Sequence, residues 1–218
     1  MRVIDLESWP RREHFGLYSQ MEFPHIGICV QVDITDLWAS RARAGASPTI
    51  ALAYVLTKAA NRVPELRQRI RGEQVVEHDV VHPLITVLGG DDLFGVIPLA
   101  YDPSFATFAA NAEERIAKAK ESPSLTEFPH DQEGEFQRDD LISITVVPWL
   151  SFTGFSLTRR PQVDCIPLLA WGKVLEEGDR CLLPFFVNIH HALVDGLHLA
   201  RFVEYIEEEA RELAGSFG

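Results

Sequence analysis

The sequence predicts an α/β protein, a two-layer sandwich in which helices pack over a mixed, mostly antiparallel sheet. Three observations carry that expectation. Hydrophobic residues make up 46% and charged residues 24% of the 218, an ordinary globular balance that supplies a core. Short β-branched runs alternate along the chain with longer segments of helical period. Two strands near the C-terminus are joined by "EEGDR", a tight turn in which Gly178 can adopt a positive φ, so they should pair antiparallel. Helices and strands are interleaved, with no internal repeat and no second core-sized pattern. Residues 1–218 therefore read as one domain.

The opening "MRVIDLESWPRREHF" lacks the apolar stretch of a secretory signal and soon looks like structure, so a cytoplasmic protein is expected. "HIGICVQVDIT" reads as a strand ending near Thr35. "SPTIALAYVLTKAANRV" is the clearest helix. Ser47 is a plausible N-cap and Pro48 fits the first turn, while Ile50, Ala53, Tyr54, Thr57 and Ala60 or Asn61 share one face. "EQVVEHDVV", "LITVLGG" and "LFGVIPLAY" give three short strands, and "PSFATFAANAEERIAKAKES" a second helix. "SPSLTEFPHDQEGEFQRDD" is polar and irregular, a long surface loop. A strand in "LISITVVPWLSF", a hairpin in "CIPLLAWGKVLEEGDRCLLPFFVNIHH" and a helix in "DGLHLARFVEYIEEEARELA" complete the order. The acidic run of that last helix reads as a solvated face.

The net charge of −12 and pI near 5.1 argue against nucleic acid as a partner. A phosphate-bearing substrate would need a local basic patch against that field. No apolar run approaches the roughly 20 residues that span a membrane. Cys29, Cys165 and Cys181 are odd in number, widely spaced and set among apolar residues. They read as free buried thiols rather than a disulfide or a zinc site.

The chemistry concentrates in "NIHHALVDGLHLARF". An apolar strand delivers His190 and His191 at its C-terminal end, where side chains can face a crevice. A histidine there can be neutral and basic near neutral pH. Asp195 follows four residues after His191, and Gly196 permits a sharp turn. Taken alone, the pair reads more readily as hydrogen-bonded core histidines beside a helix cap than as a catalytic base. A metal site has less support, since adjacent strand residues face opposite ways and no further ligand stands at suitable spacing.

The pattern as a whole adds more. "HHALVDGLHLARF" resembles the active-site signature of the chloramphenicol acetyltransferases, and "WPRREHFGLY" resembles that family's opening motif. "VDIT", "PELRQRI", "VPWLSF" and "EEGDRCLLP" match further family landmarks in order, so the resemblance covers nearly the whole chain. It implies direct acetyl transfer from acetyl-CoA, a co-substrate rather than a bound cofactor, to a small hydroxyl-bearing acceptor, with chloramphenicol the leading one. By motif position it makes His191 the general base, and gives Thr145 the place of a serine whose hydroxyl steadies the oxyanion. It pairs Asp195 with Arg11 as a lock on the base-bearing loop. Lys173 and Trp149 fall to the CoA side, and Tyr18, Phe155 and Leu157 to the acceptor pocket. His190 and His198 become structural. The family works as a homotrimer, with each site between two subunits.

Several positions depart from the family pattern. Ala170 replaces a threonine that reaches the transition state through water, and Val174 an aromatic that flanks adenine. Pro24 and Ile26 differ from the usual pocket lining, and "SLTRRPQVDC" is one residue short. Arg159 stands where an apolar pocket residue is usual; either its guanidinium turns to solvent while its stem covers the wall, the favoured expectation, or the pocket accepts a more polar alcohol. These departures bear on the acceptor and on CoA affinity. Rival readings are an acetyltransferase of this fold for another hydroxyl compound, a dihydrolipoamide acyltransferase core, and a non-catalytic relative. The "WPRREHF" opening disfavours the second, and the presence of His191, Asp195, Arg11 and Thr145 together disfavours the last.

Overall fold

The computed structural model describes residues 1–90, 92–126, 138–159 and 164–217. In chain order these form β1 (Arg2–Val3), α1 (Arg12–Tyr18), β2 (His25–Asp33), α2 (Thr35–Ala44) and α3 (Pro48–Asn61). A 3₁₀ turn (Pro64–Arg67) leads into β3 (Gln68–Arg71), β4 (Gln74–Glu77), β5 (His82–Leu88), β6 (Phe94–Pro98) and α4 (Phe105–Glu121). Then come β7 (Leu141–Val147), β8 (Leu168–Gly172), β9 (Leu175–Glu177), β10 (Arg180–His190) and α5 (Gly196–Ser216). The main sheet runs β2-β10-β8-β7-β5-β6, with β9 also on β10, and a small sheet runs β1-β4-β3. β7 is parallel to β5 and β8, and the other pairs are antiparallel. This is the mixed, mostly antiparallel sheet that the sequence predicts.

Alternation along β10 sorts its side chains onto two faces. Phe185, Val187 and Ile189 join the main core, where the Phe185 ring lies 6.0 Å from Phe202 of α5. Phe186, Asn188 and His190 point the other way. Gly27 of β2 pairs with Asn188, and a Cβ there would come within 2.8 Å of the Phe186 ring. Bare backbone at Gly27 therefore makes room for the second face. That face also holds Ala170 of β8 and Thr145 of β7, aligned by register with Phe186.

The helix expected at residues 47–63 forms as α3, with the Ser47 hydroxyl accepting the Ile50 N–H. It is not amphipathic in the expected way. Every residue from Ile50 to Ala60 except Lys58 is buried, because α4 and α5 flank α3 while the sheet lies beneath it. Lys58 reaches Glu209 (2.6 Å) and Glu212 (3.0 Å) of α5. α1, α2 and the small-sheet strands β1 and β3 were not expected from the sequence. α2 begins directly after β2: Asp33 Oδ1 accepts both the N–H and the hydroxyl of Thr35. It ends at Gly45 with φ 67°. Gly178 has φ 62° in the turn foreseen for it.

Arg69 stitches the two sheets together. Its guanidinium, fully buried, donates to the carbonyls of Leu66, Gln68, Asp139 and Leu141, so β3 is held to the entrance of β7. The three cysteines are free, but only Cys165 is buried, while Cys29 and Cys181 are half-buried. Among the described residues no helix is long and apolar enough to cross a membrane, and no cluster of metal-ligating side chains occurs. Most of the segment read as a surface loop, residues 127–137, lies outside the described residues, as do residues 160–163.

Candidate active site

β10 ends at His190, opposite His25 of β2, and the chain turns sharply through residues 191–195 into α5. The His191 N–H donates to Pro24 O (2.8 Å), which keeps this turn against the start of β2. His191 Nδ1 lies 3.0 Å from the carbonyl oxygen of Val194. A carbonyl can only accept, so Nδ1 carries the hydrogen and Nε2 of the neutral ring bears the free lone pair. The Tyr18 ring, at the end of α1, covers the imidazole at 4.1 Å between centroids with a 39° tilt. The arrangement suits a proton acceptor whose ring cannot swing away.

Asp195 and Arg11 meet as the sequence suggests. Arg11 Nη1 donates to Asp195 Oδ2 (2.5 Å), while Nη2 and Nε reach the carbonyls of His191 (3.0 Å) and Ala192 (3.4 Å). Asp195 also caps α5, its Oδ1 accepting the Leu197 N–H. Burial by itself would raise the Asp195 pKa, but the Arg11 hydrogen bond and the nearby His198 outweigh it and lower the value. Arg11 thus ties two carbonyls of the 191–195 turn to a carboxylate that stays ionised.

The other histidines of the motif serve the scaffold. His190 Nδ1 accepts the Ala192 N–H (3.2 Å). Its pKa falls to about 3, first through burial and then through the charges of His25, Arg159 and His191. His198 Nδ1 accepts the Asp195 N–H (3.1 Å), closing the capping box of α5. Arg159 corrects an expectation. Its side chain is only 8% exposed and turns inward, onto Asn188 and Asp164, because those acceptors satisfy it better than a thin hydrated rim would. Neither Asn188 nor Asp164 stood out in the sequence, and neither lies close to Arg159 by helical or strand spacing.

The remaining candidates gather elsewhere. Thr145 pairs with Ala170, and Ala170 with Phe186, two strands away. Phe155 packs on Phe186 at 5.4 Å and on Phe152 at 4.9 Å, with half-buried Leu157 following it. Past Thr145, the chain carries Trp149 and Leu150 over the end of β8, where the Lys173 N–H donates to Leu150 O (2.7 Å). Trp149 and Lys173 are both exposed there. Gly172 permits the crossing, since a Cβ on it would overlap the Leu150 carbonyl and meet the Phe152 ring at 2.9 Å. This need for glycine was also missed in the sequence.

His191, Tyr18, Arg11 and Asp195 gather at the end of β10, whereas Thr145 lies on β7 and Trp149 and Lys173 at the far ends of β7 and β8. His191 stands five positions beyond Phe186 along the chain. At roughly 3.3 Å per strand residue and about 4.8 Å between strands, Thr145 and His191 of one chain lie on the order of 15–20 Å apart.

The family model described as chloramphenicol acetyltransferase matches residues 1–207. The chain belongs to the chloramphenicol acetyltransferase family. Among its relatives, chloramphenicol acetyltransferase 2 of Escherichia coli is 32% identical over 94% of each chain. A chloramphenicol acetyltransferase of Streptomyces acrimycini is 33% identical over 94% of this chain and 91% of its own. A solved chloramphenicol acetyltransferase superposes with a TM-score of 0.86 at 28% identity, covering 95% of this chain and 98% of that one. A probable dihydrolipoamide acetyltransferase of Listeria monocytogenes shares the fold at a TM-score of 0.64 and 20% identity, over 98% and 95% of the two chains. The chain is thus an acetyltransferase of the chloramphenicol acetyltransferase family, for which acetyl-CoA is a substrate.

Proposed function

We propose that this acetyltransferase moves acetyl from acetyl-CoA to a hydroxyl of chloramphenicol, the whole chain acting as one catalytic domain. His191 Nε2 removes the proton from the acceptor hydroxyl, whose oxygen attacks the thioester carbonyl. The Thr145 hydroxyl donates to the oxyanion so formed. On collapse the CoA sulfur leaves and recovers the proton from His191. Tyr18, Phe155 and Leu157 line the acceptor pocket, and the exposed Lys173 and Trp149 serve the CoA end. Arg11 and Asp195 hold the base-bearing turn. The observation that carries this reading is the Nδ1 contact of His191 with Val194 O, which leaves Nε2 of the neutral ring as the proton acceptor, with the Tyr18 ring packed against the imidazole.

The distance between His191 and Thr145 supports a further part of the proposal: the site forms between subunits of a homotrimer, with one chain giving the base and the next the oxyanion donor. The test is CoA-thiol release from acetyl-CoA with and without chloramphenicol. Saturable, chloramphenicol-dependent release is expected, and His191→Ala should lower it by roughly 10²–10⁴-fold. Release driven only by some other alcohol would replace the acceptor. Full activity in His191→Ala would remove the base.

A further inference from the structure

Arg159 sits behind the strand end that carries the base. β10 runs on past β8: Asn188 pairs with Leu168, the first residue of β8, whereas Ile189 and His190 pair with β2 alone. Arg159 meets β10 at Asn188, the last residue of β10 that β8 pairs. Its Nη2 donates to Asn188 O (2.8 Å) and its Nε to Asn188 Oδ1 (2.6 Å), so both acceptors of one residue are taken by one guanidinium. Nη1 donates to Asp164 O (3.0 Å) and faces Asp164 Oδ1 at 3.2 Å. The two side chains are 8% and 9% exposed. Asp164 O also contacts His25 Nε2 (2.6 Å), and the His25 ring meets His190 edge-on at 5.2 Å. One cation therefore links the end of β10, the start of β2 and the segment entering β8.

We propose that Arg159 is a positioning residue, a brace that fixes the end of β10 so that His191 presents Nε2 to the acceptor. The proposal rests on the reading of His191 as base. Arg159 touches no residue of the acceptor pocket by any hydrogen bond and does not act on substrate. Burial, reinforced by the Arg159 charge, lowers the pKa of both His25 and His190, so the packing around the guanidinium is one cation among neutral rings. Such a brace differs from a plain charge partner for Asp164, because two of its three hydrogen bonds go to Asn188, three residues before the base.

The experiment compares Arg159→Met, the pair Arg159→Met with Asp164→Asn, and Asn188→Ala against the native protein. Steady-state kinetics with acetyl-CoA and chloramphenicol are read beside thermal midpoints and ¹⁵N-histidine NMR of His191. Arg159→Met should lower kcat by about tenfold or more, as small misplacements of a catalytic group do, with the KM for acetyl-CoA changed by less than about twofold. The double variant leaves no orphan charge, so it should regain the thermal midpoint without regaining kcat. The His191 ¹⁵N pattern should change from Nδ1-protonated to a mixture of tautomers in both. Native kcat in the double variant, or an unchanged His191 spectrum, would reduce Arg159 to charge balance and overturn the proposal. If Arg159→Met fails to fold, Asn188→Ala decides: it keeps the ion pair, and an unaltered kcat and spectrum there overturn the brace. His191→Ala run in parallel separates the two readings. If it keeps its turnover, the base assignment fails. If it is dead while the Arg159 and Asn188 variants match the native protein, only the brace fails.

Discussion

His190 and His191 are adjacent in the chain and opposite in chemistry. His191 turns its Nδ1 to the Val194 carbonyl, whereas His190 is buried with a pKa near 3. The unfolded chain binds a proton at His190 below about pH 6.5, and the folded chain refuses it until about pH 3. Its stabilising effect is therefore complete above pH 6.5 and declines as the pH falls toward 3, by up to about 1.4 kcal/mol per pH unit. We expect His190→Gln to narrow the gap between unfolding midpoints measured at pH 7 and pH 4.5; an equal gap in both proteins would place the proton elsewhere. Arg11 and Asp195 give a second expectation. Asp195→Asn keeps an N-cap oxygen and loses only charge, whereas Arg11→Ala also orphans the carbonyls of His191 and Ala192. Arg11→Ala should thus melt lower than Asp195→Asn, with losses of about 1–3 kcal/mol in play. Indistinguishable melting of both variants and the native protein would show the pair to be solvated. His191, Asp195 and Arg11 were legible through the two short motifs that resemble the chloramphenicol acetyltransferases; residue types and spacing alone left His191 readable as a core histidine and gave Arg11 no role. The inward turn of Arg159 was not legible, since its partners Asn188 and Asp164 are brought to it by topology alone.

The elements that the sequence predicts well carry their own signals: Ser47 and Pro48 open α3, "EEGDR" turns β9 into β10, and a long amphipathic period marks α5. α1 and α2 are short, seven and ten residues. Helices of that length draw their stability from packing rather than from propensity, so periodicity reads them poorly. α3 shows the opposite failure, for a helix covered on all sides has no polar face to betray its orientation. The crossing of the β7 tail over the end of β8 gives a test at this scale. Gly172→Ala would force the Leu150 carbonyl and the Phe152 ring apart, an overpacking of about 1–3 kcal/mol, and would shift Trp149 and Lys173 together. A rise in the KM for acetyl-CoA of about fivefold or more is expected, with a smaller change for chloramphenicol. If the KM for chloramphenicol rose alone, Trp149 and Lys173 would belong to the acceptor side.

Across the whole molecule, the separation of Thr145 from His191 makes one chain an incomplete catalyst under the proposed mechanism. Co-refolding a Thr145→Val chain with a His191→Ala chain tests this directly. In randomly mixed trimers about a quarter of the interfaces would join an intact His191 to an intact Thr145, so about a quarter of the native activity should return. No recovery on mixing would mean that each chain forms its own site. The sheet order has one more consequence, in time rather than in space. β10 lies between β2 and β8, yet Asp33 at the end of β2 and Arg180 at the start of β10 are 147 residues apart. At roughly 5–20 residues per second, a ribosome takes about 7–30 s to supply β2 with its neighbour. Through that interval the nascent chain holds an unpaired strand and the apolar flank of α3 without α5, surfaces that favour aggregation. A message broken before β10 would therefore encode no smaller enzyme, only a chain waiting for a strand that never arrives.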